Sequence, residues 1–100
     1  MNIDRFKAGL SRAGLDFDLG KILGRRFAFF YEENGFKEYR GVITGVQARL
    51  ITRNRLEFLT NIHGAALHDR YYLSLGENGV WELCSAYNLL FHVKGRIVFP

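Results

Sequence analysis

The sequence predicts a mainly β (α+β) fold: an N-terminal helix followed by a small, strongly bent antiparallel β-barrel or sheet of five to seven strands. Three observations carry this expectation. Apolar residues recur at helical spacing only once, near the N-terminus. Downstream, short β-prone runs follow one another at about 8–12 residues, a rhythm of sandwiches and barrels rather than of βαβ sheets. Glycines also stand inside the strand runs, where they mark bulges and bends. At 100 residues the chain is expected to be a single domain, residues 1–100, with the helix at about 3–13 and the barrel at about 21–99.

Taken in order, Ile3, Phe6, Leu10 and Ala13 form an apolar stripe opposite Asp4, Arg5, Lys7, Ser11 and Arg12, with Gly14 as the stop. Asp16, Asp18 and Gly20 read as a linker. A strand over residues 22–32 follows, with Phe27, Phe29 and Tyr31 on one face and Ala28 and Phe30 on the other. Asn34-Gly35 is a strong hairpin signal. The return strand, residues 36–46, holds Gly41 and Gly45 four apart, spaced to fold a long strand over itself. Residues 55–62 alternate, with Leu56, Phe58 and Ile62 inward. A loop or single helical turn occupies 63–69, then a strand at 71–75, a turn at Glu77-Asn78-Gly79 and its partner strand at 80–84. Residues 85–89 suit either a strand or a short helix, and apolar runs at 90–93 and 96–99 around Lys94-Gly95 close the sheet.

Composition narrows the function classes. With 48% apolar and 15% aromatic residues and one proline, disorder and collagen-like repetition are excluded. The longest apolar run, Phe27 to Tyr31, is far short of the roughly 20 residues of a membrane helix, so no membrane partner is expected. Charge at the N-terminus stands where a signal peptide needs its apolar stretch, so a cytoplasmic location is expected. Cys84 is the one cysteine, which rules out an intrachain disulfide and a cysteine-cluster zinc site and suggests a small buried side chain. No cofactor and no metal are expected.

The net charge of +4 is local. Residues 25–55 hold seven basic residues against Glu32, Glu33 and Glu38. Inside that stretch, residues 40–55 carry Arg40, Arg49, Arg53 and Arg55 with no acid at all. Guanidinium groups without a carboxylate nearby in sequence are suited to planar, bidentate contact with phosphate and to stacking on bases. The competing reading is that folding pairs them with Glu32, Glu33, Glu57 or Asp69.

Short motifs carry family likenesses. Arg25-Arg26-Phe27-Ala28-Phe29-Phe30 resembles the aromatic strand of RNA-recognition and cold-shock domains, with Arg26 where glycine is usual. Over residues 20–62, Tyr39-x-Gly41-x-Ile43-x-Gly45 followed by Leu56-Glu57-Phe58, behind an N-terminal helix, resembles the first motif of Sm-like, SH3-like small barrels. That resemblance implies a bent barrel fold and leaves open a ring built by strand addition, a homo-oligomer. Arg49-x-x-x-Arg53 with Asn61-x-His63-Gly64 is faintly similar to the cyclic-dinucleotide motifs of PilZ domains.

The expectation is therefore a non-enzymatic binding module that contacts RNA or DNA through an arginine face of Arg25, Arg26, Arg40, Arg49, Arg53 and Arg55, with Tyr39 and Tyr72 beside it. The first alternative is a protein-interaction module or inhibitor, of a kind mobile elements encode, that blocks a nucleic-acid-handling protein and uses exposed aromatics such as Tyr72 and Tyr87 as anchors. The second is a ribonuclease using His63 and His68 with Asp69, Arg70, Tyr71 and Tyr72 as general acid, base and phosphate-stabilising groups.

Overall fold

A computed structural model describes residues 4–16, 18–49, 55–65, 70–88 and 90–100, with the side chains of Leu19, Ala48 and Arg49 outside the description. Six antiparallel strands close into a barrel in chain order, β1 (Arg26–Glu32), β2 (Phe36–Arg49), β3 (Arg55–Ile62), β4 (Tyr71–Gly76), β5 (Trp81–Ser85) and β6 (His92–Val98). Closure runs through β1 and β6, where Ala28, Phe29 and Phe30 face Val98, Ile97 and Arg96.

The N-terminal stripe forms a 3-10 turn, Asp4–Phe6, leading into helix α1 (Lys7–Arg12). Gly14, at φ 80°, ends it. Phe6 and Leu10 are buried in the barrel core, Gly9 lies against Leu75, and Arg5 pairs with Glu77 at 2.7 Å, so α1 closes the barrel end that carries the β4–β5 turn. The linker departs from expectation. Asp18 accepts hydrogen bonds from Gly20 N through its carboxylate and from Lys21 N and Ile22 N through its carbonyl, winding Leu19–Ile22 into one helical turn, α2. The first strand accordingly begins at Arg26 rather than at residue 22.

Two conformational signals act as the sequence indicates. Asn34 and Gly35 both take positive φ, 52° and 110°, which is the geometry of a tight β1–β2 hairpin. The β2–β3 register slips between Ile43 and Gly45, so the long strand bends there and continues to Arg49. Residues 85–88 make a turn in which Ser85 Oγ accepts from the backbone N–H of Tyr87 and of Asn88.

Inward positions alternate as strand geometry requires. Phe27 and Phe29 from β1, Leu56 and Phe58 from β3, Leu73 and Leu75 from β4, and Trp81 and Leu83 from β5 fill the barrel. The end opposite α1 is plugged by Tyr31, Tyr39, Tyr71 and Phe91, whose ring centroids lie 5.6–6.5 Å apart. Burial and a hydrogen bond to Tyr39 push the Tyr31 hydroxyl up to about 12.

Candidate functional site

The outward positions divide into two faces of opposite character. On β6–β1–β2, strand pairing sets Phe30 between Arg96 and Glu38, Ala28 between Val98 and Arg40, and Arg26 beside Val42. Phe36, the first residue after the hairpin, is 71% exposed, and its ring lies 5.9 Å from that of Phe30 at 34°. The Arg96 guanidinium sits over the other partner of that pair, 5.4 Å from the Phe30 centroid. Arg40 forms an ion pair with Glu38 two residues back along β2, both well exposed. Arg26 and Arg96 are exposed and have no carboxylate within ion-pair distance among the described residues.

On β3–β4–β5 the outward row is Glu57, Ser74 and Glu82, with Tyr72 and Cys84 in the next row and Arg55 at its edge. Outward residues of a barrel ordinarily face water, yet Glu57, Ser74 and Glu82 are only 3%, 1% and 6% exposed. They line a cavity of about 360 Å³ together with Arg55, Tyr72 and Cys84. One nitrogen of Arg55, Nη1, donates to Glu82 Oε2 at 2.8 Å and to Ser74 Oγ at 3.1 Å. Burial pushes the Cys84 thiol up, against the opposing effect of its hydrogen bond with Tyr72, so the sulfur stays protonated. Among the described residues, no group of three or more histidine, cysteine, aspartate and glutamate side chains is placed to hold a metal ion.

The expected arginine face is thus dispersed. Arg26 and Arg40 share the β1–β2 surface, whereas Arg55 belongs to the polar cavity on the other side, with Tyr72. Arg25 is half-buried near the end of the barrel that α1 closes, its guanidinium 6.0 Å from the Phe99 ring and its Nε without a hydrogen-bond partner. Tyr39 is half-buried in the aromatic plug. Arg49 pairs with Arg55 through the β2–β3 register, its side chain undescribed, and Arg53 lies outside the described residues. Folding does pair two arginines of the acid-free segment, Arg40 with Glu38 and Arg55 with Glu82. His63 follows β3 and is exposed, Arg70 is exposed, and His68 and Asp69 lie outside the described residues.

Sequence reasoning includes Phe30 only in its strand and as the last residue of the Arg25–Phe30 run, and passes over Phe36 and Arg96. Their signal lies in strand parity, because Phe27 and Phe29 take the core and leave Phe30 outward. Arg96 is 66 residues from Phe30 in sequence and joins it only through the closing β1–β6 ladder. Compared with known proteins, the chain matches no family model, no curated protein and no solved structure. No helix among the described residues is long and apolar enough to cross a membrane.

Proposed function

We propose that the protein is a binding module for single-stranded nucleic acid and that the outer face of β6–β1–β2 is its binding surface. The observation that carries the reading is the Arg96–Phe30–Phe36 array flanked by Arg26. The exposed Phe36 ring, beside the half-buried Phe30, offers base-stacking surface, and guanidiniums with no carboxylate within ion-pair distance among the described residues offer contacts to phosphate. A single strand suits this face better than a duplex, since only unpaired bases present their flat sides to a ring. Arg40, exposed and paired with the exposed Glu38, adds a cation that a phosphate can recruit, because such a pair contributes about 0–1 kcal/mol. The reading involves binding without a chemical step.

Fluorescence anisotropy of labelled oligouridylate and oligothymidylate, at low and at moderate salt, tests it. Binding that weakens steeply with salt and is competed by unlabelled single strand more than by duplex supports the reading. No binding at low salt removes it. Recovery of one stoichiometric protein partner after nuclease treatment, with no nucleic acid retained, transfers support to the protein-interaction alternative.

A further inference from the structure

The polar cavity on the outer face of β3–β4–β5 measures about 360 Å³, within the span of roughly 300–1,000 Å³ that small-molecule sites occupy. Strand pairing fixes which side chains open into it: Ser74 and Glu82 stand in one outward row, Tyr72 and Cys84 in the next. Glu82 is only 6% exposed, and its carboxylate is incompletely satisfied. Arg55 Nη1 donates to Oε2 at 2.8 Å and divides itself with Ser74 Oγ, while Oε1 accepts no hydrogen bond among the described residues. Lys94, the neighbour of Glu82 across the β5–β6 ladder, is exposed and makes no ion pair among those residues. Taking a carboxylate out of water is repaid only where its remaining lone pairs meet donors. Oε1 is thus a buried acceptor, facing a cavity, whose donor the described residues do not supply. Tyr72, half-buried and hydrogen-bonded to Cys84, borders the same cavity.

We infer that this cavity binds a small organic ammonium ion, with its N–H groups on Glu82 Oε1 and its carbon skeleton toward Tyr72 and Cys84. The charge follows from the acceptor, since an ammonium brings several donors together with the sign opposite to that of the carboxylate. The organic skeleton follows from the neighbours. Among the described residues no group of three or more histidine, cysteine, aspartate and glutamate side chains is placed to hold a metal ion, whereas the Tyr72 ring offers a face to a cation and to the carbons attached to it. The inference is independent of the reading of β6–β1–β2, because Glu82, Tyr72 and Cys84 belong to the other face.

Chemical-shift titration with three probes tests it: phenethylamine, its uncharged analogue 2-phenylethanol, and Nα-acetyl-lysinamide, which carries the ammonium on an amino-acid side chain. Phenethylamine should move the amides of Ser74, Glu82 and Cys84, leave those of Phe30 and Phe36 in place, and saturate with a Kd of about 1 mM or below. The alcohol should bind at least about tenfold more weakly, and Glu82→Gln, which keeps an oxygen for Arg55, should remove that difference. Alkylation of Cys84 by iodoacetamide reads the same site in the unaltered protein: phenethylamine at about ten times its Kd should slow it about tenfold. Absence of shifts at these amides, equal affinity for the amine and the alcohol, or alkylation at an unchanged rate overturns the site. Tighter binding of Nα-acetyl-lysinamide than of phenethylamine overturns it as well, since the cavity then takes a lysine side chain of a partner protein rather than a free amine.

Discussion

The two outer faces of the barrel use arginine in opposite ways. On β3–β4–β5, Arg55 is two-thirds buried, and a single nitrogen ties together a buried carboxylate and a buried hydroxyl across three strands. On β6–β1–β2, Arg26 and Arg96 stand in solvent, with an aromatic ring rather than a carboxylate as the nearest partner of Arg96. The difference lies in what surrounds the guanidinium. Where carboxylates are buried beside it, the arginine neutralises charge the barrel cannot hydrate, and it is committed to the fold. Where rings and solvent surround it, the charge remains available to an outside phosphate.

The largest effect that sharpens this contrast is on stability. Arg55→Met leaves the Glu82 carboxylate buried without its cation and should cost about 3–5 kcal/mol, whereas Arg40→Met, facing the exposed Glu38, should stay within about 1 kcal/mol. Urea midpoints measured side by side read both, and equal losses would erase the distinction between the faces. Next in size, Phe36→Ala should weaken single-strand binding by about 1–3 kcal/mol, the worth of one stacked base, with little change in the urea midpoint because the ring is 71% exposed. Replacing Arg26 or Arg96 with glutamine should flatten the slope of log affinity against log salt by about 0.7 for each phosphate no longer neutralised. Unaltered slopes would mean that these arginines touch no phosphate.

The smallest effect concerns the aromatic plug between the faces. Tyr31 titrates higher in the folded chain, at about 12, than its ordinary 10.0. The unfolded chain therefore releases this proton first as pH rises. The contribution of Tyr31 is complete below about pH 10 and is lost as the pH climbs through the window from 10 to 12. Tyr31→Phe should make the urea midpoint less dependent on pH in that window, and an unchanged alkaline slope would remove Tyr31 as its source.

Local signals are legible in the sequence and register is not. Period-two alternation places Leu56, Phe58 and Ile62 inward at the bounds the structure shows, and Asn34-Gly35 supplies its hairpin because few residue pairs tolerate two positive φ values. Helical periodicity cannot signal α2, a single turn organised by one Asp18 carboxylate and carbonyl. The buried row of Glu57, Ser74 and Glu82 is equally invisible. Each residue alone reads as an ordinary outward polar position, and only the pairing of β3 with β4 and of β4 with β5 stacks them in a line. The same ladders take Arg55 out of the acid-free run 40–55 and place it against an acid 27 residues away. Charge counted along the chain measures what could be free, and folding decides what is.

Chemical-shift mapping of the labelled protein with a short oligothymidylate at low salt tests the account most directly. Shifts concentrated on the amides of Arg26, Phe30, Phe36 and Arg96, with Ser74, Glu82 and Cys84 unmoved, are the predicted result. Shifts centred on the Arg55 cavity, or none on either face, would contradict it.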